Sequence, residues 1–273
     1  MILDRGSVRY QVGGKPVAET DSYRVYVCED VASGRRYLSQ VATSVVKNGG
    51  LERAAYLLRE LGSTAELFER ENALVNPGRL VSYDRLFPQL VEGFIADDQG
   101  GRRVNILGFT EVDDPALLVP LSNLAVKDGL RVSLPSSAWV MGRLLKLLGF
   151  AHGEGIAVKA LGGGNILLEP ARHFALVFDW SAATTYQLEV PTAVRKDDIA
   201  GAAKTVLASI GANIETGTYP YSLDKDQRYV DFLWRLANHR EANAQRAHEQ
   251  FYELVGELWG RKFRKFETLP FQV

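Results

Sequence analysis

The chain has 273 residues, 46% of them hydrophobic and 24% charged, with a formal net charge of −1 at pH 7. That length is enough for a substantial core in one large domain or two lobes, and the composition excludes a disordered or fibrous chain. The near-zero charge provides no global attraction to nucleic acid or an anionic membrane.

One cysteine, Cys28, excludes an intramolecular disulfide, and no Cys/His cluster has the spacing of a zinc site. Its apolar surroundings read as those of a buried structural thiol. The opening MILDRGSVRY lacks the apolar core of a signal peptide, and no run of about 18 apolar residues occurs. These features lead to the expectation of a cytoplasmic protein with no membrane or nucleic-acid partner.

In chain order, Tyr23 to Glu29 alternates as a strand, Ala32 to Arg35 supplies turn chemistry, and Arg36 to Thr43 forms the returning strand. After Asn48-Gly49-Gly50, the residues Leu51, Ala54, Leu57, Leu58 and Leu61 share one face of a helix predicted to end at Gly62. A further helix is predicted over Thr64 to Leu74. Leu86 to Ile95 and Arg103 to Phe109 read as two strands joined by the polar turn at 97–101.

From about residue 115 the pattern turns helical. Ser136 to His152 carries Trp139, Leu144, Leu145, Leu147, Leu148 and Ala151, too apolar to be solvated all round. Two short strands follow, Asn165 to Leu168 and Phe174 to Phe178. Helices are predicted over Lys196 to Ile210, Lys225 to Ala237 and Asn243 to Leu258. The basic cluster Arg261, Lys262, Arg264 and Lys265 reads as a solvated helix end.

The stretch from Ala151 to Leu168, AHGEGIAVKALGGGNILL, followed by FALVFDWS from Phe174 to Ser181, resembles the catalytic loop and metal-binding segment of the protein-kinase superfamily. In that superfamily the pattern is H-R-D-L-x-x-x-N-I-L-L and then L-x-D-F-G, anchored here at Asn165 and Asp179. Val25 to Arg36 resembles the strand, turn and strand leading to the nucleotide-clamping lysine. Asp197 to Gly211 resembles the buried helix that braces the catalytic loop. The resemblance covers roughly residues 8 to 260 and implies an α+β, bilobal protein-kinase-like fold. Residues 1–112 would form a small β-rich N-lobe, and residues 113–273 a larger, mainly helical C-lobe.

Phosphoryl transfer depends on positioned cations, a phosphate clamp and a group that orients the nucleophile. By the resemblance, the three glycine-loop positions fall at Ala18, Thr20 and Tyr23, with Gly13-Gly14 as an offset remnant. The clamping lysine falls at Gln40, which brings no positive charge. Its helix glutamate falls at Ala54, with Glu52, Glu60 and Glu69 as alternatives in a slipped register. Ala160 stands at the catalytic aspartate position, preceded by Val158 and Lys159, so no carboxylate can accept a hydroxyl proton there.

Asn165 and Asp179 keep the oxygen ligands that hold magnesium under ATP in active relatives, and with Gln40 they make a vestigial cofactor site. The alternative is that both simply cap local turns. Gly162-Gly163-Gly164 reads as a replacement turn in preference to a phosphate nest. His152 is expected to pack near the end of its helix, and Asp198 to brace the loop.

The resemblance therefore implies a bacterial-type pseudokinase with no catalytic residue of the usual kind and no required cofactor. It would act as an interaction or allosteric module on a signalling kinase, phosphatase or effector. Two alternatives stand beside it: an ATP/Mg-binding conformational switch, and an atypical phosphoryl or nucleotidyl transferase using Lys159 or Glu154. An α+β fold of unrelated ancestry is the remaining reading.

Overall fold

A computed structural model describes residues 2–5, 8–171, 174–221, 226–260 and 264–271. The chain divides into two compact units: residues 1–118 together with 179–182, and residues 119–178 together with 183–273.

The first unit is built on an antiparallel sheet. Its strands are β1 (Ile2–Arg5), β2 (Val8–Val12), β3 (Ala18–Glu19), β4 (Tyr23–Asp30), β5 (Arg36–Ala42), β6 (Gln89–Ala96) and β7 (Arg102–Gly108). They run in the order β1-β2-β4-β5-β7-β6, with β3 beside β4. The predicted hairpin is β4–β5, whose register pairs Val25 with Gln40 and Tyr23 with Ala42. Period-two alternation puts Tyr10, Val12, Cys28, Val41, Val104 and Ile106 in one buried cluster. Cys28 is buried as expected, and desolvation pushes its thiol up to about 12, against a smaller opposing effect from Ser39.

A single helix, α1 (Asn48–Val75), follows β5. The predicted break at Gly62 is therefore corrected: the helix runs through it. A β-carbon at Gly62 would lie 3.3 Å from the Gln89 side-chain oxygen, so the glycine permits close packing against β6 and is not a terminator. Asn48 ties the helix start to the sheet, donating to Gly101 O at 2.9 Å and accepting from Arg103 N at 2.7 Å. Asn105, fully buried on β7, donates to Leu51 O at 2.8 Å and so holds the first turn down.

The second unit contains β8 (Val119–Pro120), α2 (Leu121–Val126), β9 (Leu130–Val132), α3 (Leu134–Gly153), β10 (Ile156–Ala157), β11 (Ile166–Glu169), β12 (Phe174–Val177), β13 (Thr184–Thr185), α4 (Thr192–Ser209), α5 (Gln227–Ala237), α6 (Ala244–Trp259) and β14 (Thr268–Pro270). The apolar run predicted as a core helix is α3, which packs against α4 and α6. It begins two residues earlier than predicted, with Ser133 capping it by accepting from Ser136 N at 3.4 Å. Helix α4 starts at Thr192, ahead of the predicted Lys196, because Pro191 ends the preceding extended segment and serves as the N-cap. The predicted hairpin is β11–β12, pairing Leu167 with Leu176, and β8 extends it. Lys225, Arg261 and Lys262 from the predicted helix start and basic cluster lie outside the described residues.

No helix among the described residues is long and apolar enough to cross a membrane.

Candidate functional site

Two groups of residues carry the motif positions, one in each unit. In the first unit, Gln40 sits at the middle of β5, 1% exposed, where the strands on both sides cover it. Its Nε2 is buried and makes no hydrogen bond among the described residues. On the neighbouring strand, the Tyr23 hydroxyl lies near the Asp179 carboxylate. Burial first, and then the Asp179 carboxylate, raise the phenol's pKa, while the nearby Gln40 amide acts in the other direction.

Asp179 also closes a local turn. One of its oxygens accepts from Ser181 N and the other from Ser181 Oγ, both at 2.9 Å. The carboxylate thus takes two hydrogen bonds from Ser181, with the Tyr23 hydroxyl nearby. This is the turn-capping role that aspartate takes where its side chain bonds a backbone N–H two residues on. Between them, Trp180 is completely buried and meets Phe87 edge-to-face, with ring centroids 6.1 Å apart. Arg53 of α1 reaches the carbonyl of Ser181 at 3.1 Å.

Ala54, at the helix-glutamate position, is buried. Glu52 and Glu60 are exposed, and Glu69 accepts from Val81 N and Ser82 N, so it serves the following turn.

In the second unit, Asp198 of α4 is 2% exposed and gathers three donors. His152 Nε2 lies 3.0 Å away, and Val158 N and Lys159 N donate at 2.8 Å each. The expected brace is therefore in place, and it holds Lys159 at φ +63°, a conformation a non-glycine residue adopts only at a cost. Ala160 follows directly.

Asn165 donates to the carbonyl of Ala160 at 2.6 Å and, through its backbone oxygen, accepts from Phe178 N at 3.0 Å. Thr205 of α4 donates to Leu161 O at 2.6 Å. On another side, Ser122 N of α2 donates to Gly163 O, and a β-carbon on Gly163 would lie 3.3 Å from that of Ser122. None of Gly162, Gly163 and Gly164 has positive φ, so the alternation of handedness that makes an anion-binding nest is missing there. The triple glycine is a tightly fastened turn.

No family model matches this chain, and no curated protein matches it. Among solved structures, the crystal structure of Rad53 1–466 in complex with AMP-PNP matches with a TM-score of 0.61 at 13% identity, covering 88% of this chain and 60% of that one. The fold is protein-kinase-like. The chain spans only 60% of that protein kinase's length, and at this identity the likeness concerns the fold alone.

Within the kinase-like fold, β5 is the strand that the sequence assigned to the clamping lysine, and α4 is the bracing helix. Gln40 and Asp179 lie in the first unit, and Ala160 and Asn165 in the second. The structure adds Tyr23 and Ser181 as partners of Asp179, which motif matching did not find. A bulky, hydroxyl-bearing Tyr23 at a glycine-loop position was the available signal, since only a local role could justify a large side chain there. Among the described residues, no three of His, Cys, Asp or Glu converge as a metal-binding group.

Proposed function

We propose that this protein is a catalytically inactive, kinase-like protein that acts by binding, as a protein-interaction or allosteric module in the cytoplasm. The partner class is a signalling protein such as a kinase, a phosphatase or an effector.

The observation that carries this reading is the loss of the clamp's positive charge beside an aspartate that closes its own local turn. Gln40 is buried and uncharged where a cation would grip the phosphates. Both oxygens of Asp179 already accept from Ser181. Magnesium would have to share that carboxylate with those donors. With no cation at Gln40 to balance the phosphates, the first unit's residues do not fit a magnesium-triphosphate group. At the Ala160 position a methyl group replaces the base, whose loss ordinarily costs about 100- to 10,000-fold in rate. By contrast, the Asp198 brace is retained, as expected where the architecture is the functional part.

Incubation of the purified chain with γ-labelled ATP, magnesium and a general peptide substrate is expected to transfer no label to the peptide or to the chain. Transfer at an ordinary kinase rate, abolished by Asp179→Ala, would overturn the proposal.

The AMP-PNP complex of the Rad53 neighbour favours a second reading, in which nucleotide binds without being consumed. A ligand at 100 times its dissociation constant raises stability by about 2.7 kcal/mol. A thermal shift of that size with ATP, with or without magnesium, would establish the switch reading in place of a purely protein-binding module.

A further inference from the structure

The buried residues of helix α1 run from Leu51 to Ala65, while the segment from Glu66 to Val75 is tied to residues 79–83 through Phe68, Glu69 and Asn72. Helical segments draw most of their stability from packing an apolar face, so the exposed Leu67 and Leu74 on the opposite face point to a further partner. Tyr56, Glu60, Ser63, Leu67, Arg70 and Leu74 recur at alternating steps of four and three, the spacing of a helix-pairing seam, and all are exposed. Leu74 is 84% exposed and Tyr56 56%.

The stripe is symmetric about Ala65. Tyr56 and Leu74 stand nine residues on either side of it, Glu60 and Arg70 five, and Ser63 and Leu67 two; flanking them, Arg59 and Glu71 stand six away. Glu60 and Arg70 on one helix are about 15 Å apart along the axis and cannot pair with each other. Turned end for end, a second copy brings its Arg70 to this Glu60, its Glu71 to this Arg59 and its Leu74 to this Tyr56. A parallel arrangement would instead oppose Glu60 with Glu60 and Arg70 with Arg70, which like-charge repulsion disfavours.

We propose that α1 pairs antiparallel with α1 of a second copy of this chain, through the stripe from Tyr56 to Leu74. This names one partner for the binding role proposed above but rests on different residues. A monomer would leave that role standing, and phosphate transfer would leave the pairing standing. The seam is about 27 Å long, which belongs to the small class of interfaces and to affinities in roughly the micromolar range.

Sedimentation velocity of the full chain from about 1 to 200 µM, a range set by that affinity, is expected to show a monomer–dimer equilibrium. Glu60→Arg should weaken it at least tenfold, and Glu60→Arg with Arg70→Glu should restore it, because each copy then carries both exchanged charges. Under mild oxidation, a mixture of Tyr56→Cys and Leu74→Cys chains should cross-link, whereas Tyr56→Cys alone should not. A monomer throughout the range, failure of the double exchange to restore association, or self-cross-linking of Tyr56→Cys would overturn the proposal.

Discussion

Replacing Asp198 by alanine tests whether the bracing of the 158–165 loop is energetic or incidental. The carboxylate is 2% exposed and accepts from Val158 N, Lys159 N and His152 Nε2. Each buried donor left without an acceptor costs about 1–3 kcal/mol, so three of them, with partial relaxation, cost about 3–6 kcal/mol. That is a large share of the roughly 5–15 kcal/mol by which a folded domain exceeds its unfolded state. At about 2–4 °C per kcal/mol for a chain of this size, the unfolding midpoint should fall by about 6–24 °C. Asp198→Asn keeps one acceptor but turns an amide donor toward groups that themselves donate, so it should fall between alanine and the wild type. Circular dichroism during heating measures both. If Asp198→Ala unfolds within about 2 °C of the wild type with an unchanged spectrum, less than about 1 kcal/mol is involved and the reasoning fails.

Lys159, held at φ +63° by the same brace, should gain up to about 1 kcal/mol on mutation to glycine, because the left-handed conformation carries no side-chain penalty there; a loss of stability on denaturant titration would refute this. Cys28 should resist maleimide at pH 8 in the folded chain and react fully in denaturant, since burial pushes its thiol up to about 12 and keeps it protonated; rapid labelling of native protein would contradict its position in the sheet core. Glu241 is desolvated, yet hydrogen bonds from Arg246 and from the N–H groups of Asn243 and Ala242 hold its carboxyl below the usual range. Its contribution should therefore be complete above the unfolded carboxylate range and disappear as pH falls through the lower folded value. In acid titrations followed by fluorescence, Glu241→Gln should be less stable than the wild type at neutral pH and show a shallower loss on acidification.

The sequence by itself determined the local pieces whose signals are periodic or punctuated. The β4–β5 hairpin, the apolar α3 and the β11–β12 pair follow from alternation, helical spacing and turn residues, all of which act within a few residues. Matching at Asn165, Asp179 and Asp198 placed those pieces in kinase order, and the Asp198 brace was legible because one buried carboxylate with neighbouring N–H donors is a compact, transferable device.

Other features were decided only when distant segments met. Gly62 looks like a helix end to any local rule; its real work is to admit Gln89 from a strand almost thirty residues later. Asp179 is bonded within its own turn but also meets the hydroxyl of Tyr23, which lies more than 150 residues away in sequence. The symmetric stripe on α1 is written in the sequence, but only the fold joins the two predicted helices into the one that carries it. Hydrophobic and hydrogen-bonding groups have short reach, so their choice of partner is made by the chain's path in space.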